Sequence, residues 1–172
     1  ITNLEVTLRT QHGLKAITLI RDQVKGANVG VGTVCNATEF DSAVDAGANF
    51  VVSPGQSDAL FDRALLTNIP FLPGAVTATE VMASKEAGFN VLKFFPASTS
   101  GGAAAIKAFA GPFADLQFVP TGGINLDNAG SYLSLSNVRA VGGSWLTPAD
   151  AIQNGQWEHI TQIAREASQL GA

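Results

Sequence analysis

One supersecondary unit recurs along this chain: an apolar strand, a turn carrying glycine or proline, then an amphipathic helix. That recurrence narrows the available folds to parallel α/β architectures. Strand candidates begin near Asn3, Asn28, Asn49, Ile69, Asn90, Gln117 and Val138. The step between them, roughly 20 to 26 residues, is that of a compact βα unit with short connections. The intervening helices carry apolar stripes: Leu14, Ile17, Ile20 and Val24 in the first, Phe40, Ala43 and Val44 in the second, and Trp157, Ile160, Ala164, Ala167 and Leu170 in the last. Asn36 with Glu39, and Thr77 with Glu80, have the spacing of a capping box, and Gly47 and Gly88 stand where a helix must stop. Segments 46–54 and 87–96 share an Ala-Gly, an Asn, an apolar run and a closing proline, a faint internal repeat. A sheet made of successive βα units either closes into an eight-stranded barrel or stays open and doubly wound. The near-constant step favours closure, so the expectation is a (β/α)₈ TIM barrel.

The fifth strand candidate, Asn90-Val91-Leu92-Lys93-Phe94-Phe95-Pro96, sets a lysine inside a run that otherwise reads as buried. Strand alternation puts Val91, Lys93 and Phe95 on one face and Leu92 and Phe94 on the other. Lysine is almost never fully buried unless it is paired or has a task. Two readings stand side by side on this pattern: a strand-end lysine that snorkels to water, and a desolvated amine kept neutral and nucleophilic.

In a barrel, function gathers where strands end and loops begin. The first strand, Leu4 to Thr10, alternates cleanly, with Leu4, Val6 and Leu8 toward the helices and Glu5, Thr7 and Arg9 toward the interior. An inward carboxylate and guanidinium are costly unless paired or functional, so Glu5 and Arg9 are either a structural ion pair or part of a site with Lys93. Two glycine pairs, in Pro120-Thr121-Gly122-Gly123-Ile124 and Val141-Gly142-Gly143-Ser144-Trp145, end the sixth and seventh strand candidates. Paired glycines let backbone N–H groups approach an anion, and the loops after the last two barrel strands are the usual phosphate grip. Trp145 either shields the site or packs. His12 and His159 read as surface helix residues.

With 172 residues, 46% hydrophobic and 14% charged, the chain can bury the core of a single domain, 1–172. Its net charge of −4 comes from scattered residues with no basic cluster, which gives no support for nucleic acid or a polybasic membrane surface. No apolar run approaches the roughly 20 residues of a membrane helix. The lone Cys35 forms no internal disulfide and suits a reducing compartment. A soluble, cytoplasmic protein is expected.

The segments Glu5-Val6-Thr7-Leu8-Arg9-Thr10, Gly32-Thr33, Val52-Ser53-Pro54-Gly55, Pro73-Gly74, Lys93-Phe94-Phe95-Pro96-Ala97, Pro120-Thr121-Gly122-Gly123-Ile124 and Gly142-Gly143-Ser144-Trp145 occur in one order across nearly the whole chain. Together they resemble the motif set of the KDPG/KHG aldolase family, whose 2-dehydro-3-deoxy-6-phosphogluconate (KDPG) aldolases are the class I enzymes of the Entner–Doudoroff pathway. The resemblance implies a (β/α)₈ barrel, usually a homotrimer, that cleaves a phosphorylated keto acid to pyruvate and glyceraldehyde 3-phosphate with no metal or other cofactor. It places Lys93 on the Schiff-base lysine and Glu5 on the general acid/base. Arg9, Thr33 and Thr121 fall on positions that hold the pyruvate carboxylate, Pro54 and Phe95 on those lining the methyl pocket, and Gly122, Gly123, Gly143 and Ser144 on the phosphate end. In two places the chain departs from the family. Ser98 stands where an acidic residue often follows Pro-Ala, and the family's βα unit ahead of the Glu-Val-Thr-Leu-Arg-Thr segment is missing here, so the intact protein is expected to carry one. Three alternatives remain: a sister aldolase for the galactonate epimer or for 4-hydroxy-2-oxoglutarate, a non-covalent phosphosugar isomerase using Glu5 as base, and a non-catalytic phosphate-binding barrel.

Overall fold

The computed structural model describes residues 1–170, grouped into two compact units, Thr2–Lys93 and the stretch from Phe94 onward. The first unit contains β1 (Asn3–Thr7), α1 (Gly13–Gln23), β2 (Asn28–Gly32), α2 (Ala37–Asp45), β3 (Val51–Val52), α3 (Asp58–Thr67), β4 (Phe71–Leu72), α4 (Ala78–Glu86) and most of β5 (Val91–Phe94). Strands β1 to β4 pair in chain order and all in parallel. Lys93 continues the series through a parallel bridge to Gly74, with Lys93 N–H donating to Pro73 O at 2.8 Å and Ala75 N–H to Lys93 O at 2.9 Å.

The Val-Gly-Val-Gly of β2 shows why the strand is covered on both sides. Val29 and Val31 join Val51, Phe71, Ile17, Phe40 and Leu60 in the core, each such side chain contributing roughly 1.5–3 kcal/mol when fully buried. Gly30 and Gly32 face the other way. The Phe50 ring fills the place where a Gly30 Cβ would stand, and the Glu5 carboxylate fills that of Gly32. Phe40, Phe61, Phe71 and Phe89 meet edge-on or stacked at centroid distances of 5.1–6.5 Å, geometries that add to area burial.

Except at the Asn36–Glu39 capping box, the local punctuation agrees with the sequence. Thr77 and Glu80 form a complete capping box. Asn36 caps α2, but Glu39 reaches back to the N–H of Cys35 at 2.7 Å, one residue earlier than a capping box requires. Gly47 and Gly88 adopt φ of +85° and +92°. Each ends its helix with the same paired bonds, Gly47 N to Val44 O and Ala48 N to Ala43 O in one case, Gly88 N to Lys85 O and Phe89 N to Ser84 O in the other. The two halves of the repeat thus share their backbone geometry.

The second unit contains α5 (Gly102–Phe109), β6 (Gln117–Pro120), α6 (Leu126–Leu133), α7 (Ala149–Gln153) and α8 (Trp157–Ala167). Phe94, Phe109, Phe113 and Phe118 form its aromatic core. Buried Asn137 is tied to Ile106 O at 2.7 Å.

Four further expectations need correction. The first strand ends at Thr7, because the chain turns after Leu8 N bonds Gly32 O, so Arg9 lies on a turn and outside the strand alternation. Strand seven is reduced to two isolated parallel bridges, Phe118 with Val138 and Thr121 with Gly142. Between them three steps along β6 face four along the partner, and Pro120 has no N–H to give, so the ladder breaks. Leu4 and Val24, placed on buried faces, are 38% and 50% exposed. In α8 the stripe is at best half-buried and Trp157 is 61% exposed, because the helix packs on α7 and a short 3-10 turn, too little to cover its first turn.

Candidate active site

In the first unit, the chemistry collects at the C-terminal ends of the parallel strands. Lys93 on β5 is 5% exposed, and its Nζ lies 3.4 Å from Glu5 Oε1 on β1. The Glu5 side chain is 29% exposed, so the pair joins a buried amine to a carboxylate open to water on one side. The snorkelling reading of Lys93 is thereby set aside. Glu5 owes its position to β2: it stands opposite Gly30 in register and bends over Gly32, where any Cβ would collide with its carboxylate.

Arg9 is exposed on the turn after β1, and no ion pair between Arg9 and Glu5 is present among the described residues. The structure therefore brings Lys93 and Glu5 together and leaves Arg9 facing solvent. Thr33, immediately after β2, has φ +63°, a left-handed conformation that a β-branched residue rarely adopts. Such backbone strain concentrates at functional positions. Pro54 follows β3 and is half-buried, and its carbonyl group lies so close to Gly74 that a Cβ there would strike it. The Gly74 N–H donates to Gly55 O at 2.9 Å.

In the second unit, half-buried Phe95 and the Gly122-Gly123 turn lie against one another. A Cβ on Gly122 would meet the Phe95 ring at 3.2 Å. Thr121 N–H donates to Phe94 O, Ala97 N–H to Thr121 O and Ser98 N–H to Gly122 O, at 2.8–3.0 Å. The two glycine turns adjoin through Thr121 and Gly142, whose missing Cβ leaves room for the Thr121 hydroxyl. Gly122 and Gly123 adopt φ of +97° and +73°. The N–H groups of Gly123, Gly143 and Ser144 make no hydrogen bond among the described residues. Asn128, in the capping box of α6, holds Gly123 O at 2.9 Å. Unspent donors on adjoining turns suit an oxyanion such as phosphate. Trp145 packs its ring against Gly143, and its buried Nε1 has no partner among the described residues. His12 and His159 are exposed.

Sequence reading missed the roles of Gly32 and Gly74. The Val-Gly-Val-Gly alternation was the available signal for Gly32, since small residues on one face of a strand announce something large opposite.

No helix among the described residues is long and apolar enough to cross a membrane. A family model described as KDPG and KHG aldolase matches residues 1–163. The chain is 45% identical over 167 residues to 2-dehydro-3-deoxy-phosphogluconate aldolase of Pseudomonas aeruginosa, covering 97% of this chain and 76% of that one. It is 46% identical over 164 residues to KHG/KDPG aldolase of Escherichia coli, covering 95% and 77%. Among solved structures it resembles KDPG aldolase from Legionella pneumophila, with pyruvate captured at low pH as a covalent carbinolamine intermediate. That match has a TM-score of 0.95 at 42% identity, over 97% of this chain and 81% of the other. The α/β fold with parallel strands is thus the fold of KDPG aldolase structures, and the chain belongs to the KDPG and KHG aldolase family.

Proposed function

We propose that this protein is a class I aldolase that cleaves 2-dehydro-3-deoxy-6-phosphogluconate to pyruvate and glyceraldehyde 3-phosphate through a Schiff base on Lys93. The observation that carries the proposal is a buried amine 3.4 Å from a partly solvated carboxylate. Neutral Lys93 Nζ adds to the C2 keto carbon, forming a carbinolamine, and loss of water gives an iminium. Glu5, directly or through a water, supplies the proton that leaves with that hydroxyl. Glu5 then takes the proton of the C4 hydroxyl as the C3–C4 bond breaks. The bonding pair is drawn into the iminium, which becomes an enamine, and the aldehyde departs. Protonation at C3 and hydrolysis release pyruvate and return the amine.

Arg9, Thr33 and Thr121 are assigned to the pyruvate carboxylate, for which a guanidinium offers a bidentate grip. Pro54 and Phe95 are assigned to the methyl pocket, and Gly122, Gly123, Gly143 and Ser144 to the phosphate. The unspent N–H groups on the two glycine turns support the last assignment. The reading includes a single (β/α)₈ barrel domain, a homotrimeric assembly and a cytoplasmic setting. Parallel pairing within the first unit and the likeness to KDPG aldolase structures support the barrel. A sister activity toward 4-hydroxy-2-oxoglutarate is the second reading, favoured by the 46% identity to a protein named KHG/KDPG aldolase. Comparing cleavage rates on the two keto acids separates them.

Treatment with pyruvate and borohydride tests the proposal. The expected result is irreversible inactivation with a reduced pyruvyl adduct on Lys93, and no adduct in Lys93→Ala. Turnover without an adduct would instead fit a non-covalent isomerase.

A further inference from the structure

We infer that Gln56 is a positioning residue for the Pro54 wall of the keto-acid pocket, held by a two-point amide clamp on α4. The inference rests on the aldolase reading and goes beyond it to a residue outside the substrate contacts. Gln56 lies two residues past Pro54, in the loop between β3 and α3. Its Nε2 donates to Glu80 O at 3.0 Å, and its Oε1 accepts from the hydroxyl of Ser84. Ser84 is fully buried on α4.

A mid-helix serine commonly turns its hydroxyl back to the carbonyl four residues earlier, which here is that of Glu80. Instead the Gln56 amide fits between the two groups, giving the hydroxyl an acceptor and using the spare lone pair of the carbonyl. A buried hydroxyl that loses such a partner is costly, so the clamp resists opening.

The loop needs an anchor of this kind. On one side Pro54 and Gly55 rest against Gly74, and Gly55 N–H donates to Ser53 Oγ at 3.3 Å. On the other side the loop borders an open cleft of about 170 Å³, lined also by Cys35, Ser57 and Leu60. That space lets the turn shift outward if Gln56 lets go. Outward movement of Pro54 loosens the wall against the pyruvate methyl group, while Lys93 stays held by its backbone bonds to Pro73 and Ala75. Gln56 therefore acts on pyruvate binding more than on bond making.

Gln56→Met keeps the side-chain length and removes both hydrogen bonds. The assay is borohydride trapping across a pyruvate series, beside the thermal midpoint of each protein. Half-saturating pyruvate is expected to rise about five-fold or more, the effect of roughly 1 kcal/mol, while the limiting trapping rate stays within about two-fold. Ser84→Ala should reproduce the shift, and the double variant should add little, because the two groups act as one unit. If Gln56→Met does not fold, Ser84→Ala alone decides. An unchanged half-saturation in a labelled, folded variant overturns the inference, whatever happens to the thermal midpoint. A wild-type chain that pyruvate and borohydride fail to label overturns the aldolase reading and this inference with it.

Discussion

Replacing Gly32 by alanine probes the Lys93–Glu5 pair without altering either member. Gly32 is buried at the end of β2 and does not occupy the left-handed region, so its backbone accepts alanine. The added Cβ would stand 2.6 Å from Glu5 Cδ and 2.7 Å from Cγ, and closer still to Oε1. Ordinary contact begins near 3.4 Å, so Cδ must retreat by about 0.8 Å and Oε1 by more. Starting from 3.4 Å, a retreat of that size carries Oε1 out of hydrogen-bond reach of Nζ. A misplacement of about 1 Å in a catalytic group costs on the order of 10²-fold in rate. Because Glu5 retreats toward water, the loss of stability should stay at about 1–2 kcal/mol, at the lower end of the range for overpacking. Pyruvate release, followed by coupling to reduction of pyruvate, should show kcat down by about 10²-fold, with a thermal midpoint lowered by only a few degrees. A Gly32→Ala enzyme with kcat within two-fold of wild type would refute the placement of Glu5 as proton carrier.

Two further outcomes follow from the backbone and the caps. Thr33→Gly should remove about 1–2 kcal/mol of left-handed strain, less about 0.5–1 kcal/mol for the freer unfolded chain. The thermal midpoint should therefore rise slightly while pyruvate binding weakens with the loss of the hydroxyl, as calorimetry and trapping would show. A fall in both would count against strain at Thr33. Desolvation tends to raise the Glu80 carboxyl, but hydrogen bonds from Val76, Thr77 and the Thr77 hydroxyl outweigh it, and its pKa lies below the ordinary glutamate value. A depressed folded-state pKa contributes stability that is present above the unfolded value and is lost as pH falls through the folded one. Glu80→Gln should thus cost a few tenths to about 1 kcal/mol at pH 7 and much less once the pH drops below the carboxylate range, read as converging thermal midpoints.

The repeated unit, the strand starts, the helix stops at Gly47 and Gly88 and the Thr77–Glu80 cap were all legible in the chain. These depend on near neighbours, since alternation, capping and left-handed turns are settled within a few residues. The unusual burial of Lys93 was legible for the same reason, as a charge inside an apolar run. The partner of Glu5 was not. Local spacing left two readings, an ion pair with Arg9 four residues on or a site shared with Lys93; the strand stops at Thr7 and the carboxylate meets the amine 88 residues away. The Val-Gly-Val-Gly alternation announces something large opposite Gly32, but no local pattern says that it is the Glu5 carboxylate, that one extra residue reduces the seventh strand to two bridges, or that Gln56 reaches Ser84 on α4. Those facts depend on register and on loops that bring distant segments within a few ångströms. A chain can encode its elements through near neighbours, but which side chains face one another across strands is settled only when the strands pair.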